Sequence, residues 1–343
     1  MREFYPALKK SEIDEIQPQI DAAYQRHIDS LRNRETISLD PYSMVPIEDY
    51  EKLKNEYRLH VDKWAESNID IDPMIKAIYK VDAATEENLP WYTADLLIGF
   101  ESWIEWIGRW TAEERSHGEI MVRDMEARGF LDMSKEWLPI REHNLAAGIH
   151  VKIESPADGL AYLPVQELLT REAHFYSSRL MDNSARKTLR DIGSDEGRHY
   201  QFYVSALGAF ALVNPDAALT AMRCQHEADN FSMPGKQGIK RFSRLASTIA
   251  AGGVFDSITV LKAQKQTIDE SGMLLTTPVT DEGKAALEWA QGISEKSDRI
   301  WEDNQLKLDE FRSKQAKKIE PGLLRPLILG HTVEIIDKQF VPK

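Results

Sequence analysis

Apolar positions recur every three or four residues along most of the chain, and the strict alternation of a half-buried strand is nearly absent. Residues 11–33 set the pattern, with Ile13, Ile16, Ile20, Ala23 and Ile28 on one side of a helix. The stretch Asp40-Pro41-Tyr42-Ser43-Met44-Val45-Pro46 reads as a loop, because each proline biases the residue before it away from the helical region. A helix is then expected to begin near Thr85 to Glu87, with Pro90 tolerated in its first turn. It runs to about Trp110 or breaks between Gly99 and Gly108. Thr111 stands in capping-box spacing with Glu114, so a short connection and a continuous, bent helix both fit. Residues 129–160, with Gly129, Pro139, Gly148, Pro156 and Gly159, read as a turn-rich crossover. Helices are expected over 161–182 and 184–212, closed by Asn214-Pro215, then over 216–231 and 236–251, split by Met233-Pro234-Gly235. A long polar helix is expected over 281–318. With no low-complexity linker, the pattern predicts an all-α chain forming a single domain over 1–343.

On two of these helices the polar positions repeat a motif. Glu114-Arg115-Ser116-His117 and Glu196-Gly197-Arg198-His199 are both Glu-x-x-His, and a lone glutamate precedes each, Glu86 by 28 residues and Glu167 by 29. Residues three apart share a helix face, so each Glu/His pair can point at one spot. One Glu-x-x-His is common on solvated helix faces. Two with matched upstream glutamates are much harder to obtain by accident. Trp103, Ile104, Trp106, Ile107 and Trp110 lead into the first motif, so its helix should be largely buried, and a buried charged cluster needs partners. Four carboxylates with two imidazoles are the set that ferritin-like di-iron or di-manganese proteins assemble inside a four-helix bundle. Two divalent ions would cancel the four carboxylates. The fold expected is thus a ferritin-like four-helix bundle core with additional helices, and the candidate metal ligands are Glu86, Glu114, His117, Glu167, Glu196 and His199.

Composition narrows the class. The chain has 343 residues, 42% hydrophobic and 29% charged, with no apolar stretch near the length of a membrane span and no apolar run at its start that resembles a secretory signal. Cys224 is its single cysteine, which rules out an intramolecular disulfide or a thiolate metal site and fits a reducing cytosol, so a cytoplasmic location is expected. A formal net charge of −13 argues against nucleic acid or an acidic membrane surface as partner. Positive charge is local: Lys236, Lys240, Arg241 and Arg244 form one cluster, and Arg312, Lys314, Lys317, Lys318 and Arg325 another. Most such clusters are solvated faces, and one of them can serve as a docking patch for an acidic partner.

Several segments resemble the soluble acyl-acyl-carrier-protein desaturases, the plant stearoyl-type enzymes and especially their actinobacterial relatives. Trp110-Thr111-Ala112-Glu113-Glu114-Arg115-Ser116-His117-Gly118 is similar to the family's W-T-A-E-E-x-x-H-G, and Glu86-Glu87-Asn88-Leu89-Pro90 to the segment around its first ligand. Gln166-Glu167-Leu168-Leu169-Thr170, with His174 further on, resembles Q-E-x-x-T-x-x-x-H, and Asp195-Glu196-Gly197-Arg198-His199 resembles D-E-x-x-H. Phe231-Ser232-Met233-Pro234-Gly235 and Gly252-Gly253-Val254-Phe255-Asp256 resemble the bacterial branch. The likeness covers residues 10 to 270 and weakens after about residue 275.

The resemblance implies that the six candidate ligands hold two iron ions, that Thr170 lies on the oxygen-binding side, and that Asp195 orients a ligand histidine. It implies dioxygen-dependent desaturation of a fatty chain on acyl carrier protein, electrons from a ferredoxin-type donor, and a homodimer. On its own, Thr170 reads as a helix threonine bonding its own backbone. His174, two turns beyond Glu167, is too far along the helix to share its metal and reads as a packing or hydrogen-bonding residue. Departures are visible too. Where relatives carry W-x-P-x-D-x-x-P, this chain has Leu39 for the tryptophan and Ser43 for the aspartate, which puts the usual electron route in question. Ser116 stands where arginine is frequent, and the gap from Glu167 to Glu196 is shorter than in the plant enzymes. A related di-iron hydroxylase or N-oxygenase acting on a carrier-bound or free metabolite is therefore the alternative. A metal-storage shell would need little beyond four helices, and a metal-free structural protein would not need the ligand pattern.

Overall fold

The structure is a computed structural model, which describes residues 10–32, 73–86, 89, 101–127, 132–147, 153, 155–180, 183–227, 231, 239–251, 255, 257–295, 306, 310, 333–336 and 339–342. Its helices are α1 (Lys10–Arg32), α2 (Pro73–Glu86), α3 (Glu101–Ala127), α4 (Leu138–Ala147), α5 (Pro156–Leu180), α6 (Asn183–Val213), α7 (Pro215–His226), α8 (Phe242–Ala251) and α9 (Ser257–Ser271). A further helix, α10, covers 281–295. The chain is all-α apart from one small antiparallel pair, β1 (Val333–Ile336) with β2 (Gln339–Pro342), the only strands among the described residues. No helix among the described residues is long and apolar enough to cross a membrane.

Four helices close into a ring. α2 packs on α3, α3 on α6, α6 on α5, and α5 on α2. This is the ferritin-like core. α1 covers α3 and α6, α7 and α9 cover α5 and α6, and α8 lies on α2. The packing follows from where the apolar side chains fall. Along α3, Trp103, Trp106 and Trp110 belong to one apolar core and Ile120, Met121 and Met125 to a second. Along α6 the order is reversed: Ala185, Leu189 and Ile192 join the second core, Tyr203, Leu207 and Phe210 the first. The two helices therefore run antiparallel, and the polar residues between each pair of apolar runs meet in one belt. Burial of these large side chains supplies the main driving force for closing the ring.

Several local expectations need correction. Glu86 does not lie at the start of a helix. It ends α2, which begins at Pro73 and buries Ala77, Ile78, Tyr79, Ala83 and Ala84. The start signal is Pro73 itself, suited to a first helical turn by its fixed φ, whereas Pro90 is outside the described residues. Between Gly108 and Thr111 there is no break, so of the two possibilities the continuous helix is the one formed. Ile104 was expected to be buried with its neighbours; it is 60% exposed on the solvent side of α3. The turn-rich crossover contains α4, preceded by a π-helical turn over Met133–Trp137 that Asp132 caps. α5 starts at Pro156, earlier than expected, because Ser155 and Asp158 cap it reciprocally: Asp158 N donates to Ser155 Oγ at 3.2 Å, and Ser155 Oγ to Asp158 Oδ2 at 3.0 Å. Asn214 is the N-cap of α7. That helix ends at His226, short of 231, and α8 starts at Phe242, later than 236. α9 was not expected at all. The loop at 40–46, with Leu39, and the Met233-Pro234-Gly235 break lie outside the described residues, as does the polar helix beyond 295 except for residues 306 and 310.

Candidate metal centre

The polar belt is built from the four ring helices. α2 contributes Glu86, α3 contributes Glu113, Glu114 and His117, α5 contributes Glu167, Thr170 and His174, and α6 contributes Asp195, Glu196 and His199. All are buried, and His117, Glu167, His174 and His199 are wholly so. All six sequence-predicted ligands come together. Donor atoms of Glu86, Glu114, His117 and Glu196 lie within 4.8 Å of one another, and so do those of Glu114, Glu167, Glu196 and His199. The two groups share Glu114 and Glu196. Each has a terminal glutamate and a histidine of its own, so the cluster offers two adjacent positions for metal ions. Gly118 lets α2 and α3 approach at this level, since a Cβ there would stand 3.1 Å from Glu86 Cβ.

Both histidines are oriented alike. His117 Nδ1 faces inward, 3.0 Å from Glu196 Oε1 and 3.5 Å from Glu114 Oε2, while its Nε2 lies 3.3 Å from Asp195 Oδ2. His199 Nδ1 lies 2.9 Å from Glu114 Oε1 and 3.5 Å from Glu167 Oε2, while its Nε2 lies 2.9 Å from Glu113 Oε2. An outer carboxylate that accepts a hydrogen bond from Nε2–H leaves the Nδ1 lone pair free for a metal, the arrangement metal-binding histidines generally show. Asp195 is itself held by Arg198.

Thr170 bonds its own helix, as a helix threonine does, and also reaches the cluster. Its hydroxyl is within hydrogen-bonding range of the carbonyls of Gln166 and Glu167, at 3.2 and 3.1 Å, and of Glu196 Oε2, at 3.2 Å. One hydroxyl proton serves one of these acceptors at a time. His174 is a near neighbour of Glu86, not of Glu167's metal position: Nε2 is 3.7 Å from Glu86 Oε1.

Two contributors were missed. Glu113 backs His199 as Asp195 backs His117, and the signal was present, because an acid stands directly before the Glu-x-x-His in both motifs. Trp110 had been assigned only to packing, yet its Nε1 donates to Glu167 Oε1 at 3.2 Å. Aromatic rings close the same side: Trp106 meets His199 edge-on at 5.9 Å and stacks on Phe202 at 3.8 Å.

Crowding of acids sets the proton positions. Burial, with the charges of Glu114 and Glu196 added, pushes the Glu86 and Glu167 carboxyls well above the usual range. Burial and Glu196 would raise Glu114 as well, but hydrogen bonds from His117 and His199 outweigh them and bring it to about 2. Glu196 is likewise drawn well below its usual value against the effect of burial. Burial opposes charge on the rings, yet Glu114 and Glu196 lift His117 to about 10, and Glu113 with three further glutamates lifts His199 well above the ordinary range. Burial, helped by the positive charge of His117, brings His174 down to about 4, because Glu196 and Glu114 offset only part of the shift, and its ring is neutral. Oxygen and imidazole donors without thiolate suit iron, manganese or zinc, so the donor set fits a metal pair.

Comparisons with known proteins agree. A family model described as fatty acid desaturase matches residues 12–320, further toward the C-terminus than the motifs alone indicated. DesA1 of Mycobacterium tuberculosis, named as an acyl-(acyl-carrier-protein) desaturase, is 29% identical over 257 residues, covering 71% of this chain and 72% of its own. The chloroplastic palmitoyl-(acyl-carrier-protein) 4-desaturase of Coriandrum sativum is 25% identical over 298 residues, covering 80% of this chain and 74% of its own. Among solved structures, the X-ray structure of DesA2 from Mycobacterium tuberculosis covers 81% of this chain and 99% of its own with a TM-score of 0.58; at 15% identity it speaks to the fold alone. With a match over most of its length, the chain belongs to the fatty acid desaturase family.

Proposed function

We propose that this chain is a di-iron enzyme that uses dioxygen to place a double bond in a fatty acyl chain carried on acyl carrier protein. The observation that carries the reading is the pair of overlapping donor groups, each with its own glutamate and histidine and both sharing Glu114 and Glu196. Glu86, Glu114, His117, Glu167, Glu196 and His199 would hold two iron ions, which when bound supply the redox chemistry that activates dioxygen. The protein's own part is to bind, orient, exclude water and handle protons. Asp195 and Glu113 fix the histidine rings through Nε2. Trp103, Trp106, Trp110 and Tyr203 wall the cluster off from water, which strengthens every charge interaction inside it. Thr170 stands ready to give or take a proton at Glu196 Oε2.

The stoichiometry requires a partner. Converting two neighbouring methylenes to a double bond yields two electrons and two protons, whereas reduction of dioxygen to two waters takes four of each. A one-electron donor of the ferredoxin class supplies the other two electrons, and two protons come from solvent. Acyl carrier proteins and ferredoxins are acidic, and so is this chain, so docking calls for local positive charge. Lys240 and Arg241 are exposed just before α8, the helix that packs on α2. Lys236 and the side chain of Arg244 lie outside the described residues.

The test is to supply iron-loaded protein with a ferredoxin reducing system, oxygen and a saturated long-chain acyl carrier protein, then weigh the product. A product lighter by two hydrogens supports the proposal. A product heavier by one oxygen supports the hydroxylase reading, which Leu39 and Ser43 keep in view. No turnover of any carrier-bound acyl chain contradicts the proposal and leaves the oxygenase reading only for a free metabolite.

A further inference from the structure

The two halves of the cluster are related by the repeated motif, but the groups that hold their terminal glutamates are not. Glu167 receives the indole N–H of Trp110 at 3.2 Å. Among the described residues, no α3 side chain donates to Glu86 as Trp110 does to Glu167. His174 of α5 stands beside Glu86, with Nε2 3.7 Å from Glu86 Oε1. That imidazole is fully buried, and neither ring nitrogen makes a hydrogen bond among the described residues. A buried imidazole N–H left without an acceptor is costly. The carboxyl of Glu86, 3.7 Å from Nε2, is an acceptor placed beside that ring.

His174 is not itself one of the donor atoms grouped within 4.8 Å around either position. Glu86 belongs to the first group only, as Glu167 belongs to the second only. Whatever fixes one of these two carboxylates therefore acts on a single metal position, whereas anything touching Glu114 or Glu196 acts on both.

We propose that His174 is a positioning residue that holds the Glu86 carboxylate through its ring N–H, and that it makes the two metal positions unequal, the first depending on His174 and the second on Trp110. This rests on the di-metal reading above. The indole can only donate, so it pins Glu167 in one way. The imidazole is a donor at one nitrogen and an acceptor at the other, so it can hold Glu86 and also let it turn.

The test is stepwise titration of metal-free protein with Co2+, following the visible absorption and circular dichroism of the bound ion. The wild-type chain should bind two ions in two resolvable events. Glu86→Gln and Glu167→Gln identify which event belongs to which position. His174→Phe, which keeps a ring but removes both nitrogens, should weaken the Glu86 event about tenfold or more and leave the other within about twofold. His174→Gln, which keeps an N–H donor, should recover much of the loss. Trp110→Phe should show the reverse preference. Far-ultraviolet circular dichroism checks that each variant is folded; if His174→Phe does not fold, His174→Gln against Trp110→Phe carries the comparison, and the two must then weaken different events. Equal weakening of both events by His174→Phe, or of neither, overturns the inference while leaving the metal pair standing. A wild-type chain that binds fewer than two ions overturns the di-metal reading, and this inference with it.

Discussion

Filling the cluster with metal should expel protons, and the direction in which each side chain is shifted gives the number expected. In the metal-free cluster Glu86 and Glu167 are held as carboxylic acids, mainly by burial and then by the charges of Glu114 and Glu196. His117 and His199 are held as imidazoliums by the surrounding carboxylates. Glu114 and Glu196 are ionised. Two positive rings thus balance two negative carboxylates, and the cluster is neutral with four protons on six side chains. Metal ligands must be deprotonated. Two divalent ions balance four carboxylates, so the same neutrality is kept when the four protons leave. The expected release near pH 7 is about four protons per chain, or two per ion, and each unit fall in pH should weaken binding about a hundredfold per ion. Weakly buffered protein titrated with Zn2+ or Co2+ and a pH indicator measures the release, and calorimetry in two buffers of different ionisation enthalpy checks it. Release of fewer than two protons per chain, with two ions bound, would refute the proton assignment and the use of these side chains as ligands.

Three further outcomes follow from other parts of the molecule. His226 is buried against the carbonyl of Ala161, Nε2 to O 2.9 Å, and burial lowers its ring from 6.5 to about 4. The unfolded chain then binds a proton the folded one refuses, so this stability is present above about 6.5 and is lost as pH falls toward about 4. Denaturant unfolding at both ends of that window should show wild type losing on the order of 3 kcal/mol more than His226→Asn. Asp216 caps the start of α10 by accepting from Val279 N at 3.1 Å and Thr280 N at 2.9 Å, and a Cβ at Gly283 would stand 2.1 Å from its Oδ1. Gly283→Ala should lower the thermal midpoint more than Asp216→Ala does, with the double variant losing less than the sum. Lys240→Glu with Arg241→Glu should raise KM for acyl carrier protein without changing metal content, by a factor that shrinks as salt is added; unchanged kinetics at low salt would eliminate this patch.

The six donors and their bundle were legible because the chemistry needs particular side chains at helical spacing, and Glu-x-x-His twice is hard to produce otherwise. Asp195 was legible only through likeness to known enzymes, yet the acid before each motif, Glu113 and Asp195 alike, marks the same role in both halves. The cross-helix neighbours of Trp110 and His174 were not legible. Those neighbours, Glu167 and Glu86, lie on other helices, and no spacing along one helix reports which neighbour crosses the interior. α2 was not anticipated, although Pro73 at its first position is a start signal, and it places Glu86 at a helix end rather than a helix start. α9 went unnoticed because its sequence is mostly polar, and only packing on α5 and α6 shows which side is buried.

The sharing of Glu114 and Glu196 between the two donor groups gives the most direct test. Iron content per folded chain, measured after anaerobic loading and removal of loose metal, should be about two in the wild type, near none in Glu114→Ala and Glu196→Ala, and about one in Glu86→Ala and Glu167→Ala. Retention of two irons by both Glu114→Ala and Glu196→Ala would contradict the account.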